Sequence, residues 1–249
     1  MKNKFVAILF LLTLLTSNAF ALSTEVVSPV LDSQDEALKL DLFKLVVQNH
    51  KAVGYNPAKK FLFGQLHLEK NNTGYYVKDL YCDIEYTKGV GPGSLPDQNQ
   101  LNCEHTWPQS KFSKGFPNEF QKSDLHHLFP TDSKANSTRG NFPFAEVVDN
   151  ENLKNCASSK SGASTTSGGH TFFEPPQSHK GNVARALFYF SVRYKMPIDA
   201  AQEEFLKKWH HLDPVDAEEM ARNTAIEKLQ GNRNPFIDHP EYVDAIRDF

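Results

Sequence analysis

The chain is poor in cysteine and tryptophan and has no surplus of positive charge. Its 249 residues include three cysteines and two tryptophans, and the formal net charge is −3. No Cys-x-x-Cys pair occurs, which argues against a structural zinc site. Beyond residue 21 no apolar run offers the roughly 20 residues that a membrane-crossing helix needs. There is no internal repeat. The acidic balance argues against a protein that grips nucleic acid through overall charge. It leaves room for a nucleic-acid enzyme, because the field in a cleft can differ from the total. Apolar content of 39% and charged content of 23% are ordinary for a globular chain, so a buried core is expected and disorder is not.

What is present begins with a leader. Lys2 and Lys4 precede an apolar stretch from Phe5 to Leu15, and Ala19-Phe20-Ala21 has the small-x-small pattern of a cleavage site. The expectation is a signal peptide over 1–21 and a single domain over 22–249, in the periplasm or outside the cell. No cysteine follows the cleavage site, which argues against a lipid anchor. Loss of Lys2 and Lys4 lowers the basic count from 27 to 25, against 30 acidic residues. Cys82, Cys103 and Cys156 allow one disulfide and one free thiol in three pairings, and nothing in the sequence chooses among them.

Local patterns predict an α+β fold, mainly helical, around a small antiparallel hairpin followed by a helix. Ser33-x-x-Glu36 reads as a capping box before a helix with Leu38, Leu42, Leu45 and Val46 on one face. Tyr55 to Leu68 reads as a second helical element, and Asn71 to Gly74 as a turn. Tyr81 to Tyr86 alternates as a half-buried strand would. Gly89 to Asn102 reads as a loop and Leu101 to His105 as the second strand, and Leu125, Leu128 and Phe129 anchor a turn leading to a short helix around Asn136. Ala157 to Gly169 reads as a flexible surface loop of Ser, Thr and Gly. Helices are expected over Gly181 to Tyr194, after a cap at Asp199, and from Asp213-Pro214 to a stop at Gly231, with a last short one from Pro240.

The stretch from Cys103 to Phe144 holds the densest set of reactive polar groups. His105 can take a proton near neutral pH. Glu104 beside it offers a carboxylate and Asn136 an amide oxygen, a pair suited to Mg²⁺, which uses few protein ligands and keeps several waters. Neighbours on a regular strand point to opposite faces, so Glu104 and His105 can share a site only where the strand ends or bends. Trp107-Pro108 makes such a bend plausible. Arg139, three residues after Asn136 on one helix face, is a candidate phosphate clamp, with a salt bridge to Asp124 or Asp132 as the plain alternative. Adjacent His126 and His127, without a third ligand at metal spacing, read as supports that bond the backbone.

Cys103-Glu104-His105-Thr106-Trp107-Pro108-Gln109-Ser110, Asp124-Leu125-His126-His127-Leu128 and Asn136-Ser137-Thr138-Arg139-Gly140-Asn141 together resemble the secreted bacterial endonuclease I family. The likeness extends to Cys82-Asp83-Ile84-Glu85-Tyr86, Gly181-x-x-Ala184-Arg185 and Gly231-Asn232-x-Asn234-Pro235-Phe236, and covers roughly residues 35 to 245. The resemblance implies a ββα-metal (His-Me finger) core at about 80–145 and endonucleolytic cleavage of DNA, and of RNA as well, with little sequence preference and 5′-phosphate products. It implies His105 as general base, Glu104 and Asn136 as ligands of one Mg²⁺ that Mn²⁺ or Ca²⁺ can replace, and Asp124, His126, His127 and Asn141 in support. The family's arginine for the cleaved phosphate lies after Trp107, where this chain has Lys111 and Lys114 instead. These two lysines and Arg185 are therefore candidate phosphate contacts beside Arg139. A monomer without membrane contact is expected. The rival readings are a secreted zinc-dependent phosphoesterase and a non-catalytic binding protein on the same scaffold.

Overall fold

The computed structural model describes residues 30–150, 153–164 and 170–249. The leader at 1–21 lies outside the described residues. In chain order the helices and strands are α1 (Asp35–Val47), α2 (Tyr55–Phe61), β1 (Glu69–Asn71), β2 (Gly74–Lys78), β3 (Glu85–Tyr86), β4 (Leu101–His105), α3 (Asn118–Ser123), β5 (Leu128–Asp132), α4 (Ser133–Arg139), β6 (Lys160–Ala163), β7 (Thr171–Glu174), α5 (Lys180–Tyr194), α6 (Ala200–Leu212), α7 (Ala217–Gln230) and α8 (Pro235–Asp238). The fold is α+β, with helices around small antiparallel sheets.

Helix α5 is the spine. It is buried along almost its whole length, from Val183 and Leu187 to Phe188, Phe190 and Tyr194, and its buried arginines Arg185 and Arg193 are bonded to Glu219 and His50. Against it lie α1, through Leu38, Leu42 and Val46, and α6, through Phe205, Leu206 and Trp209. A smaller apolar cluster joins Leu62 and Phe63 after α2 to Leu101, Cys103, Leu125, Leu128 and Ile226.

The hairpin of β4 and β5 gives Leu101, Cys103 and Leu128 to the smaller cluster. Its register pairs His105 with Leu128, Glu104 with Phe129 and Leu101 with Asp132. Asp132 ends β5 and caps α4, its Oδ1 accepting from the amides of Lys134 and Ala135. Strand, excursion, strand and helix thus follow one another as a ββα unit.

Several local expectations change. The partner of β4 is Leu128–Asp132, not the Tyr81 to Tyr86 segment. That segment turns around buried Asp79, whose carboxylate accepts from the amides of Tyr81, Cys82, Ile84 and Asp132. The alternation was misleading, because four converging amide donors outweigh a strand register. The Ser33 hydroxyl bonds Asp41 instead of capping α1, whose N-cap residue is Gln34. The helix expected at Asp213-Pro214 starts at Ala217, capped by Asp216. Four residues of the supposed Ser/Thr/Gly surface loop, Lys160–Ala163, are strand β6, paired with β7, with Ser161 and Gly162 buried. A Cβ at Gly162 would meet the Asp149 carbonyl at 2.2 Å, so glycine here serves close packing and not flexibility. Residues 165–169 of that stretch lie outside the described residues. Gly231 does end α7, at φ +90°. Cys82 and Cys156 form a disulfide, and Cys103 is free and buried.

Candidate active site

The sheet of β4 and β5 has two strands, so β4 keeps one edge without a strand partner. A cleft of about 540 Å³ runs along that edge and is bordered by Glu104, His105 and Asn136, with Tyr55, Gln109 and Asn141. Side chains from either face of a strand can border its edge, and β4 stops at His105. This resolves the geometric problem that adjacency poses for Glu104 and His105.

His105 is 5% exposed, and its ring is oriented by the main chain. Its Nε2 lies 3.1 Å from the carbonyl oxygen of Lys122. A carbonyl only accepts, so Nε2 carries the proton and Nδ1 keeps a lone pair. The Nδ1 atom meets only a long contact from the Gln109 amide at 3.4 Å. Burial, followed by neighbouring His127, brings the imidazole pKa down to about 3, so the ring is neutral throughout the physiological range.

Glu104 is 2% exposed, and its Oε1 accepts from Arg139 Nη1 at 2.7 Å and from the Tyr81 hydroxyl at 3.0 Å. Burial lifts the pKa of this carboxyl, against the pull of Arg139 and Tyr81. Oε2 takes neither of these bonds. Asn136, on α4, is partly exposed to the cleft, and its side-chain amide bonds no other described residue. One wall of the cleft therefore carries a held carboxylate, an uncommitted amide and an imidazole with an open lone pair.

The Endonuclease I family model matches residues 34–241. The chain belongs to the endonuclease I family. It is 36% identical to an extracellular ribonuclease of Bacillus subtilis over 67% of this chain and 60% of that protein. It is 28% identical to a periplasmic deoxyribonuclease of Aeromonas hydrophila, over 86% of this chain and 91% of that one. An Endonuclease-1 of Buchnera aphidicola matches at 28% over 55% of this chain and 51% of that one. The chain thus spans about three fifths of the length of its Bacillus relative.

Behind the wall lies a buried polar network centred on Asp124, which is 0% exposed. Its Oδ2 accepts from Tyr189 and Tyr194, and its Oδ1 from Gln230 and the His126 amide. Burial opposes its charge, but His50, His126, His127 and Gln230 hold its pKa below the ordinary carboxylate range. His127 bonds the Gln121 carbonyl through Nε2, and its ring lies 5.4 Å from that of His105. His126 bonds the Asn232 carbonyl. Both rings are buried and neutral, with pKa values lowered to about 4 and about 3 by burial.

The arginines go elsewhere than the sequence suggests. The Arg139 fork, 1% exposed, spends Nη1 on Glu104 and the His105 carbonyl and Nη2 on the Thr106 carbonyl, over the Phe144 ring. It is committed inward and partners neither phosphate space nor Asp124 or Asp132. The reason is local: α4 packs directly under β4, where three acceptors converge. Arg185 is 0% exposed and bonds Glu219, so it is no phosphate contact. Lys111 is on the surface beside a separate cavity of about 150 Å³ shared with Arg139 and Trp107, and Lys114 is exposed. Trp107 is a core residue stacked on Phe190. Sequence reasoning missed Tyr81, Tyr55 and Asp79, which have no motif of their own, and gave no role to Gln109 within its block. The family block Cys82 to Tyr86 marked the neighbourhood of the first without naming it.

Proposed function

We propose that this protein is a secreted, sequence-indifferent endonuclease that hydrolyses DNA and RNA with one Mg²⁺ ion. The observation that carries the reading is a neutral imidazole with its Nδ1 lone pair toward the cleft that also holds Glu104 and Asn136. Support comes from family membership and from relatives named as a ribonuclease and a deoxyribonuclease. Export is supported by the extracellular and periplasmic names of those relatives and by the Cys82–Cys156 disulfide.

Glu104 and Asn136 would hold the ion. Their donors suit it: two oxygens and room for several waters is what Mg²⁺ accepts. Among the described residues no group of three His, Cys, Asp or Glu could hold a metal, so the zinc reading finds no donor set. When bound, Mg²⁺ would neutralise the phosphoryl oxygens and acidify a water able to protonate the leaving oxygen. Arg139 and Tyr81 bond Oε1 of Glu104, so Oε2 would be the oxygen offered to the ion. His105 takes the proton of the attacking water at Nδ1, while the Lys122 carbonyl stabilises the imidazolium through Nε2–H. A phosphodiester anion beside the ring raises its low pKa toward neutrality, so the base strengthens where substrate binds. Contacts to phosphate carry no base information, which accounts for indifference to sequence.

The test is cleavage of plasmid and of RNA with Mg²⁺ or EDTA, by the wild type and by His105→Ala. We expect EDTA to stop cleavage and the variant to lose roughly 10²–10⁴-fold in kcat with its circular dichroism unchanged. Cleavage that persists in EDTA, or without His105, overturns the proposal.

A further inference from the structure

Tyr55 borders the cleft without a role in the chemistry above, and its ring carries two cations. The Tyr55 ring lies 5.4 Å from the His105 ring, at the wall of the cleft. Two ammonium groups sit on that one ring, Lys59 Nζ at 4.8 Å from its centroid and Lys122 Nζ at 4.7 Å. Among the described residues neither lysine is paired with a carboxylate, whereas Lys39, Lys44, Lys78, Lys180 and Lys208 are. The nearby carboxylate of Glu119 instead accepts from the Tyr55 amide at 3.1 Å, tying the start of α2 to α3.

Gathering two cations on one aromatic ring is costly unless an anion follows. The ring quadrupole attracts each ammonium but offsets only part of their mutual repulsion. Their placement is also tied to the base. Lys59 lies one turn after Tyr55 on α2. Lys122 supplies the carbonyl that orients His105, so its side chain is anchored to the imidazole by its own backbone. Resting on the nuclease reading, we propose that Lys59 and Lys122, held on Tyr55, form a subsite for a backbone phosphate of the substrate strand next to the one that is cleaved. Its ligand class is the nucleic-acid phosphodiester, read by charge and not by base.

The test is steady-state cleavage of a fluorescent DNA oligonucleotide across a salt series. Variants are Lys59→Gln, Lys122→Gln, their double and a remote control, Lys228→Gln. Each subsite variant is expected to raise KM roughly three- to tenfold and to lower the log–log salt slope by about 1. For Lys59→Gln the change in kcat should stay within about twofold, because that residue makes no bond to His105. Lys59→Arg and Lys122→Arg should restore KM. An unchanged KM and salt slope, a fall in kcat alone, or an equal effect of Lys228→Gln overturns the subsite. A variant-free measurement backs this up: a cleavage-resistant phosphorothioate oligonucleotide should protect Lys59 and Lys122 from acetylation in the native protein, and absence of protection counts against the proposal. Wild-type cleavage with an unaffected double variant removes the subsite alone, whereas a wild type inert on DNA and RNA removes the nuclease reading.

Discussion

Arg139 Nη1 lies 2.7 Å from Glu104 Oε1, and both side chains are almost wholly buried. An unpaired carboxylate in this position would be expensive, because burial alone favours its protonated form. The guanidinium opposes the rise in pKa that burial brings, and its remaining bonds to the His105 and Thr106 carbonyls fix the end of β4. Arg139 is therefore a positioning residue.

Arg139→Met should cost about 3–5 kcal/mol of folding stability, since it removes the cation paired with a buried carboxylate. Urea unfolding measures this. The double variant Arg139→Met/Glu104→Gln should regain much of the loss while staying inactive. If the single variant is as stable as the wild type, the ion pair contributes nothing.

On the proposed function, metal dependence should follow Glu104 and Asn136. Asn136→Ala should raise the Mg²⁺ concentration for half-maximal cleavage by about tenfold or more. Asn136→Asp should keep activity at an altered rate, because an oxygen ligand remains. Titration of rate against Mg²⁺ checks both, and an Asn136→Ala curve that overlays the wild type would remove Asn136 from the ligand set.

The Cys82–Cys156 bridge spans 74 positions in sequence. By loop-closure entropy, Cys82→Ser/Cys156→Ser should lose about 4 kcal/mol, read as a lower urea midpoint. Reductant should destabilise the wild type and leave the double variant unaffected.

Stability should fall in mild acid. His126 and His179 are each brought down to about 3, in both cases chiefly by burial. The unfolded chain titrates near the ordinary value of about 6.5, so below it the unfolded state binds more protons and stability drops as pH falls. Each histidine should remove about 2 kcal/mol between pH 6.5 and 5. Asp124, held below the usual range, adds a loss in the same direction below about pH 4. Urea midpoints at pH 7, 6 and 5 test this, and a flat profile would contradict it.

The helices were readable because their evidence is local: the spacing of Leu38, Leu42 and Val46, the Asp199 cap and the Gly231 stop each act within a turn or two. Strand pairing was not. Leu128–Asp132 contains Pro130 and does not read as a strand, yet it is the partner of β4. Pro130 is tolerated because β5 is itself an edge strand, and its carbonyl accepts from the Leu80 amide. Tyr55 and Tyr81 were invisible for a related reason. Each reaches the site from an element far from the Glu104-His105 motif, and a lone tyrosine carries no spacing signal.

By itself the sequence determined the family and the group of residues from which a site could be built, since chemistry-bearing side chains in ordered blocks are a property of the chain alone. Tertiary structure decided which of them face the cleft. Arg139 and Arg185 turned inward to buried carboxylates, and Lys59 and Lys122 converged on Tyr55, because the direction of a long charged side chain is set by the acceptors and rings that folding brings within its reach.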